Sequence, residues 1–87
     1  MAKVLVIDDE DAMRRLVRRI LAQAGHDVVE AQDGVEGLRK FVAERPDIVV
    51  TDIIMPRREG VETILEIRAS GFQAGIIAMS GGGAGAA

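Results

Sequence analysis

The chain has no cysteine, tryptophan or tyrosine, a single histidine, two prolines and two phenylalanines in 87 residues. Without cysteine there is no disulfide, no thiol nucleophile and no thiolate metal site, and His26 alone cannot build a zinc site. With Phe41 and Phe72 as the only aromatics, the platforms on which single-stranded bases stack are missing. Eleven basic against fourteen acidic residues leave a net charge of −3, which does not favour wholesale nucleic-acid binding. No apolar run approaches the roughly 18 residues that a membrane span needs. The first residues read as a strand followed by acid (Lys3 to Ile7, then Asp8-Asp9-Glu10-Asp11) and not as a secretory leader. The expected address is the cytoplasm.

What is present is the ordinary balance of a globular protein, 48% hydrophobic and 29% charged. The length predicts one small domain. A chain this short buries only about 60–70% of its unfolded surface, so a thin core is expected.

The apolar pattern alternates in kind along the chain. Val4-Leu5-Val6-Ile7 is continuous and too short for a helix, as expected of a strand covered on both faces. Asp11 is the expected cap of a helix reaching Ala24, with Met13, Leu16, Val17, Ile20, Leu21 and Ala24 turned inward, and Gly25 suits the left-handed position that ends it. Val28-Val29 reads as a short edge strand. Asp33-Gly34 opens a second helix with Val35, Leu38, Phe41 and Val42 inward, and Pro46 prevents its continuation. Ile48-Val49-Val50-Thr51 repeats the buried-strand signature. A loop with Pro56 and Gly60 precedes a third helix on Val61, Ile64, Leu65 and Ile67, stopped near Gly71, and Gly75 to Met79 is a fourth strand. This alternation predicts an α/β fold, a doubly wound parallel sheet with helices on both faces. Residues 1–80 form the expected domain, and the Gly/Ala-rich 81–87 reads as a loop or tail.

In open α/β sheets a site forms outside the carboxyl ends of the strands, where strand order reverses. The first strand delivers Asp8 and Asp9 there, the third Asp52 and the fourth Ser80. Three carboxylates in one crevice repel one another unless a cation compensates them. A hard divalent ion fits, and Mg²⁺ fits best, because it commonly takes one or two carboxylates together with waters and a phosphate. A metal-neutralised Asp52 could then attack a phosphoryl group in line, with Ser80 bonding one of its oxygens.

Three stretches, Val4-Leu5-Val6-Ile7-Asp8-Asp9-Glu10, Val49-Val50-Thr51-Asp52-Ile53-Ile54-Met55-Pro56 with Gly60 beyond it, and Ile76-Ile77-Ala78-Met79-Ser80, resemble the receiver domain of bacterial two-component response regulators. The similarity runs from residue 3 to about residue 81. It implies a flavodoxin-like strand order, here 2-1-3-4 with a fifth strand missing. It also implies Asp52 as phosphoacceptor, Asp8 and Asp9 as the acidic pair with Asp9 the more direct Mg²⁺ ligand, and the backbone carbonyl of Ile54 as a further ligand. Ser80 matches the hydroxyl that meets the phosphoryl group on switching, while Met55, Pro56 and Gly60 shape the adjoining loop. The implied partner is a sensor histidine kinase or phosphotransfer protein. Receiver domains continue through a fourth helix, a fifth strand and a fifth helix. The phosphate-pairing lysine of that fifth strand has no counterpart, the only lysines being Lys3 and Lys40. The shortened form is expected to expose a sheet edge and an apolar patch and to self-associate through them.

Blander readings stand beside these. Arg14, Arg15, Arg18 and Arg19 are expected on a solvated helix face, with docking to an acidic partner as the alternative. His26 is expected as an exposed turn residue. Gly81 to Gly83 lack the Lys-Ser/Thr of a phosphate-binding loop. Two rivals to the switch are a non-phosphorylated assembly module and a metal-dependent phosphohydrolase. The hydrolase would place a second acid two residues after its nucleophile, where this chain has Ile54.

Overall fold

The computed structural model describes residues 1–52, 59–71 and 73–79, with residues 59–61 by backbone alone. Four strands alternate with three helices: β1 (Lys3–Ile7), α1 (Asp11–Gln23), β2 (Asp27–Ala31), α2 (Gly34–Glu44), β3 (Ile48–Asp52), α3 (Glu59–Ala69) and β4 (Gly75–Met79). All pairings are parallel, in the order β2-β1-β3-β4. The expected doubly wound sheet and its strand order are therefore present.

The two unalternated apolar runs occupy the interior of the sheet. Val4 to Ile7 of β1 and Val49 to Asp52 of β3 are buried, while the edge strands β2 and β4 are largely half-buried or exposed. One face of the sheet packs Leu5, Ile7, Ala31 and Val49 against Phe41 of α2 and Ile67 of α3. The other packs Val4, Val6 and Val50 against Val17 and Leu21 of α1. Full burial of a side chain such as Phe41, Leu5 or Ile7 contributes about 1.5–3 kcal/mol each.

The helix boundaries follow local chemistry, with several departures from expectation. Residue 10, not Asp11, is the N-cap of α1; Asp11 is the first helical residue, and the cap has no side-chain hydrogen bond. No α1 residue is fully buried, and Leu16 and Ile20 are 49% and 57% exposed. Among the described residues a single helix rests on that sheet face, so only part of its apolar stripe finds cover. Asp33 caps α2 as expected, accepting from Glu36 N at 2.7 Å. That helix then turns Gly34, Gly37 and Phe41 to the sheet, leaving Val35 79% and Val42 53% exposed. The reason is close approach: a Cβ at Gly37 would come within 2.5 Å of Ile7 Cδ1, so the bare glycine lets α2 settle directly on β1. The displaced valines border an open apolar groove shared with Leu38 and Thr63.

Helix α3 buries Thr63 and Ile67, while Leu65 points outward at 64% exposure and Ile64 is half-buried. Gly60 lies inside α3, not in the preceding loop. Gly25, at φ +92°, ends α1 in the left-handed conformation expected of it, and Gly71, at φ +82°, follows α3 in the same conformation. His26 is half-buried, and its Nδ1 accepts a hydrogen bond from Ala2 N at 3.1 Å, which replaces the expectation of an exposed turn residue. The expected 81–87 tail, and the Val61 side chain placed inward from the sequence, lie outside the described residues. Among the described residues no helix is long and apolar enough to cross a membrane.

Candidate functional site

Strand order reverses between β1 and β3, because the connection from β1 goes outward to β2 and the chain then returns to the other side of β1. The crevice is therefore outside the carboxyl ends of these two strands. The register sets Ile7 beside Thr51, so Asp8, one residue past β1, is level with Asp52, the last residue of β3. Carboxylate oxygens of Asp8, Asp9 and Asp52 all lie within 4.8 Å of one another. Residues 43 positions apart in sequence thus share one acidic pocket. Asp8 and Asp52 are buried, at 1% and 7% exposure, and Asp9 is open to solvent.

Backbone bonds fix the first of these acids. Asp8 N donates to Ala31 O of β2 at 3.1 Å, and Glu10 N donates back to Asp8 Oδ1 at 2.9 Å, closing a tight turn into α1. Burial pushes the Asp8 carboxyl above its usual pKa, and the charges of Asp52, Asp9 and Glu10 push in the same direction. The Glu10 amide bond opposes this, favouring the charged form without reversing the shift. Among the described residues neither Asp8 nor Asp9 forms an ion pair.

Such a set of hard oxygen donors, two of them withdrawn from water and all of one sign, fits a small divalent cation. A cation would offset the mutual repulsion of the three carboxylates. Of the other residues singled out in the sequence, Ile54, Met55, Pro56 and Ser80 lie outside the described residues, and Gly60 sits in α3.

Arg14 was missed as part of this neighbourhood. Its side chain is only 11% exposed, not solvated. Nη1 donates to the Asp8 carbonyl at 2.9 Å, Nη2 to Asp11 Oδ1 at 2.7 Å and Nε to Glu30 Oε1 at 3.2 Å. Burial works against the guanidinium's charge, but the bonds and charges of Asp11 and Glu30 outweigh it and hold its pKa above the usual value. The i,i+3 spacing of Asp11 and Arg14 was a readable signal. The partnership with Glu30, from another strand, was not.

The family model of the response regulator receiver domain matches residues 4–86, and the chain belongs to that family. It is 41% identical over 78 residues to response regulator MprA of Mycobacterium sp. (strain KMS), covering 90% of this chain and 34% of that protein. The chain thus spans about a third of that curated relative. Among solved structures, chemotaxis response regulator CheY4 of Vibrio cholerae superposes with a TM-score of 0.84 at 35% identity, over 90% of this chain and 67% of that one. A crystal structure of histidine kinase ThkA in complex with response regulator protein TrrA matches with a TM-score of 0.83 at 37% identity, over 93% of this chain and 70% of that one. The match covers the receiver domain of a two-component response regulator.

Proposed function

We propose that this receiver domain, over residues 1–80, is a phosphoacceptor switch in which Asp52 takes a phosphoryl group from a sensor histidine kinase or a phosphotransfer protein. The supporting observation is the convergence of the Asp8, Asp9 and Asp52 carboxylates within 4.8 Å at the strand-order reversal. Asp8, Asp9, Asp52 and the backbone carbonyl of Ile54 would hold Mg²⁺, which when bound offsets charge on the transferring group. An Asp52 oxygen attacks phosphorus in line, the phosphorus–nitrogen bond of the phosphohistidine breaks with its electron pair returning to the imidazole, and an aspartyl phosphate is left. Ser80 is assigned to hydrogen-bond one phosphoryl oxygen, while Met55, Pro56 and Gly60 shape the approach. The domain changes state when modified and does not turn over an external metabolite, and it works in the cytoplasm. The kinase complex of the related TrrA supports a partner of that class.

Incubation with acetyl phosphate and Mg²⁺, followed by intact mass, tests the assignment. A single phosphate adduct is expected on the wild-type chain, with none on Asp52→Asn or after chelation by EDTA. An adduct that survives Asp52→Asn removes Asp52 from the role.

Self-association belongs to the same proposal. Leu16 and Ile20 of α1 and Ile77 of β4 are about half exposed, and the register of Ile77 with Val50 puts it on the α1 side of the sheet. Outside β4, no further strand is paired among the described residues. A second copy of the chain would cover this apolar surface and edge.

A further inference from the structure

Three acceptors from three elements converge on the Arg14 guanidinium: the Asp8 carbonyl just past β1, Asp11 in α1 and Glu30 in β2. Glu30 is itself held from a second side, its other oxygen meeting Arg18 Nε at 3.2 Å. The segment so fastened is unfavourable on its own. Residues 8 to 11 are four consecutive acids, with the Asp52 carboxylate beside the first two. Mutual repulsion would spread that turn, and its carbonyl at Asp8 lies beyond the last rung of the β1 ladder. The charges in the clasp, Arg14 and Arg18 against Asp11 and Glu30, cancel, so Arg14 presents little net field to a cation in the crevice. Its leverage there is geometric.

We propose that Arg14, locked by Glu30, is a positioning residue that holds the Asp8–Asp9 turn in the geometry a divalent cation requires. The inference rests on the metal-site reading given above. Arginine suits the task because its planar fork can meet several acceptors at fixed angles, whereas lysine is a single mobile charge. Groups that orient metal ligands from behind typically change metal affinity by 10–100-fold when removed.

The test titrates the full 87-residue chain and its variants with Mg²⁺ by calorimetry and with Mn²⁺ by electron paramagnetic resonance. Each measurement is made below that variant's melting transition. Arg14→Gln and Arg14→Lys are both expected to weaken binding roughly tenfold. Arg15→Ala, which removes the same charge from an exposed neighbouring position, leaves affinity unchanged. If charge governed the site, Arg14→Gln would tighten binding and Arg14→Lys would match wild type, and either result overturns the proposal. Should Arg14→Gln fail to fold, the lysine variant alone decides. A wild-type chain that takes up neither ion overturns the metal-site reading and this inference together, while normal wild-type binding with equal affinity in the variants overturns the inference alone.

Discussion

The two faces of the sheet are built from similar sequence and end up differently packed. Leu5, Ile7 and Val49 face two helices and join a core with Phe41 and Ile67 at 1% and 0% exposure. Among the described residues α1 is the one helix that Val4, Val6 and Val50 face, and the cover thins toward Leu16, Ile20 and Ile77. Burial of an interior strand therefore does not require a well-covered face: its neighbours in the sheet and one helix are enough. The helix, by contrast, is only as buried as the surface it can reach. Buried helix side chains are concentrated on one side of β1, whereas the acidic crevice at the strand ends is shared by both.

Four mutational experiments test this contrast. The largest effect is expected from Phe41→Ala, which removes the ring at the centre of the two-helix face and costs about 3–5 kcal/mol by urea unfolding. The corresponding Ile20→Ala on the α1 face should stay within about 0.5 kcal/mol, and equal losses would erase the distinction. Next is Gly37→Ala, where the new methyl group meets Ile7. A loss of about 1–3 kcal/mol is expected from overpacking, read in the same unfolding experiment, whereas Gly75→Ala, with no neighbour closer than 3.9 Å, should be tolerated far better.

A third, smaller effect has the opposite sign. Because Asp8 is harder to ionise in the folded state than in the unfolded chain, its charged form costs stability. That cost is absent below the ordinary carboxylate value of 3.8 and is complete once the pH passes the raised folded value. Asp8→Asn should therefore raise the melting temperature at pH 7 without Mg²⁺, with the gain vanishing as the pH falls below the ordinary value. Asn can still accept the Glu10 amide, so the turn is kept. A melting temperature unchanged at pH 7 would show that the crevice acids do not limit stability. The smallest thermodynamic effect is expected from Ile20→Lys with Ile77→Lys: little change in unfolding, but a concentration-dependent assembly seen by light scattering in wild type should be lost. A wild-type chain that is monomeric at high concentration removes the self-association proposal.

The sheet and the meeting of Asp8, Asp9 and Asp52 were legible in the sequence because their determinants are local. Two continuous aliphatic runs, each ending in aspartate, define the interior strands, and parallel crossovers bring their ends level. The faces of the helices were less legible. Helix α2 carries more apolar residues than its contact stripe can use, and what selects the stripe is the absence of a side chain at Gly37, which a hydrophobic pattern does not register. Arg14 was misassigned for a related reason. A charged residue on an amphipathic helix is normally solvated, and only the fold reveals that Glu30, sixteen residues on, waits beside it. The Leu65 assignment failed because α3 turns Thr63 and Ile67 toward the sheet instead.

The bond from Asp8 N to Ala31 O gives the molecule a built-in reporter. It is a single amide joining the outer strand to the mouth of the crevice, so the resonance of one proton registers any change in their alignment. Followed through a titration, that peak would separate an event that only fills the pocket from one that also shifts the border of the sheet.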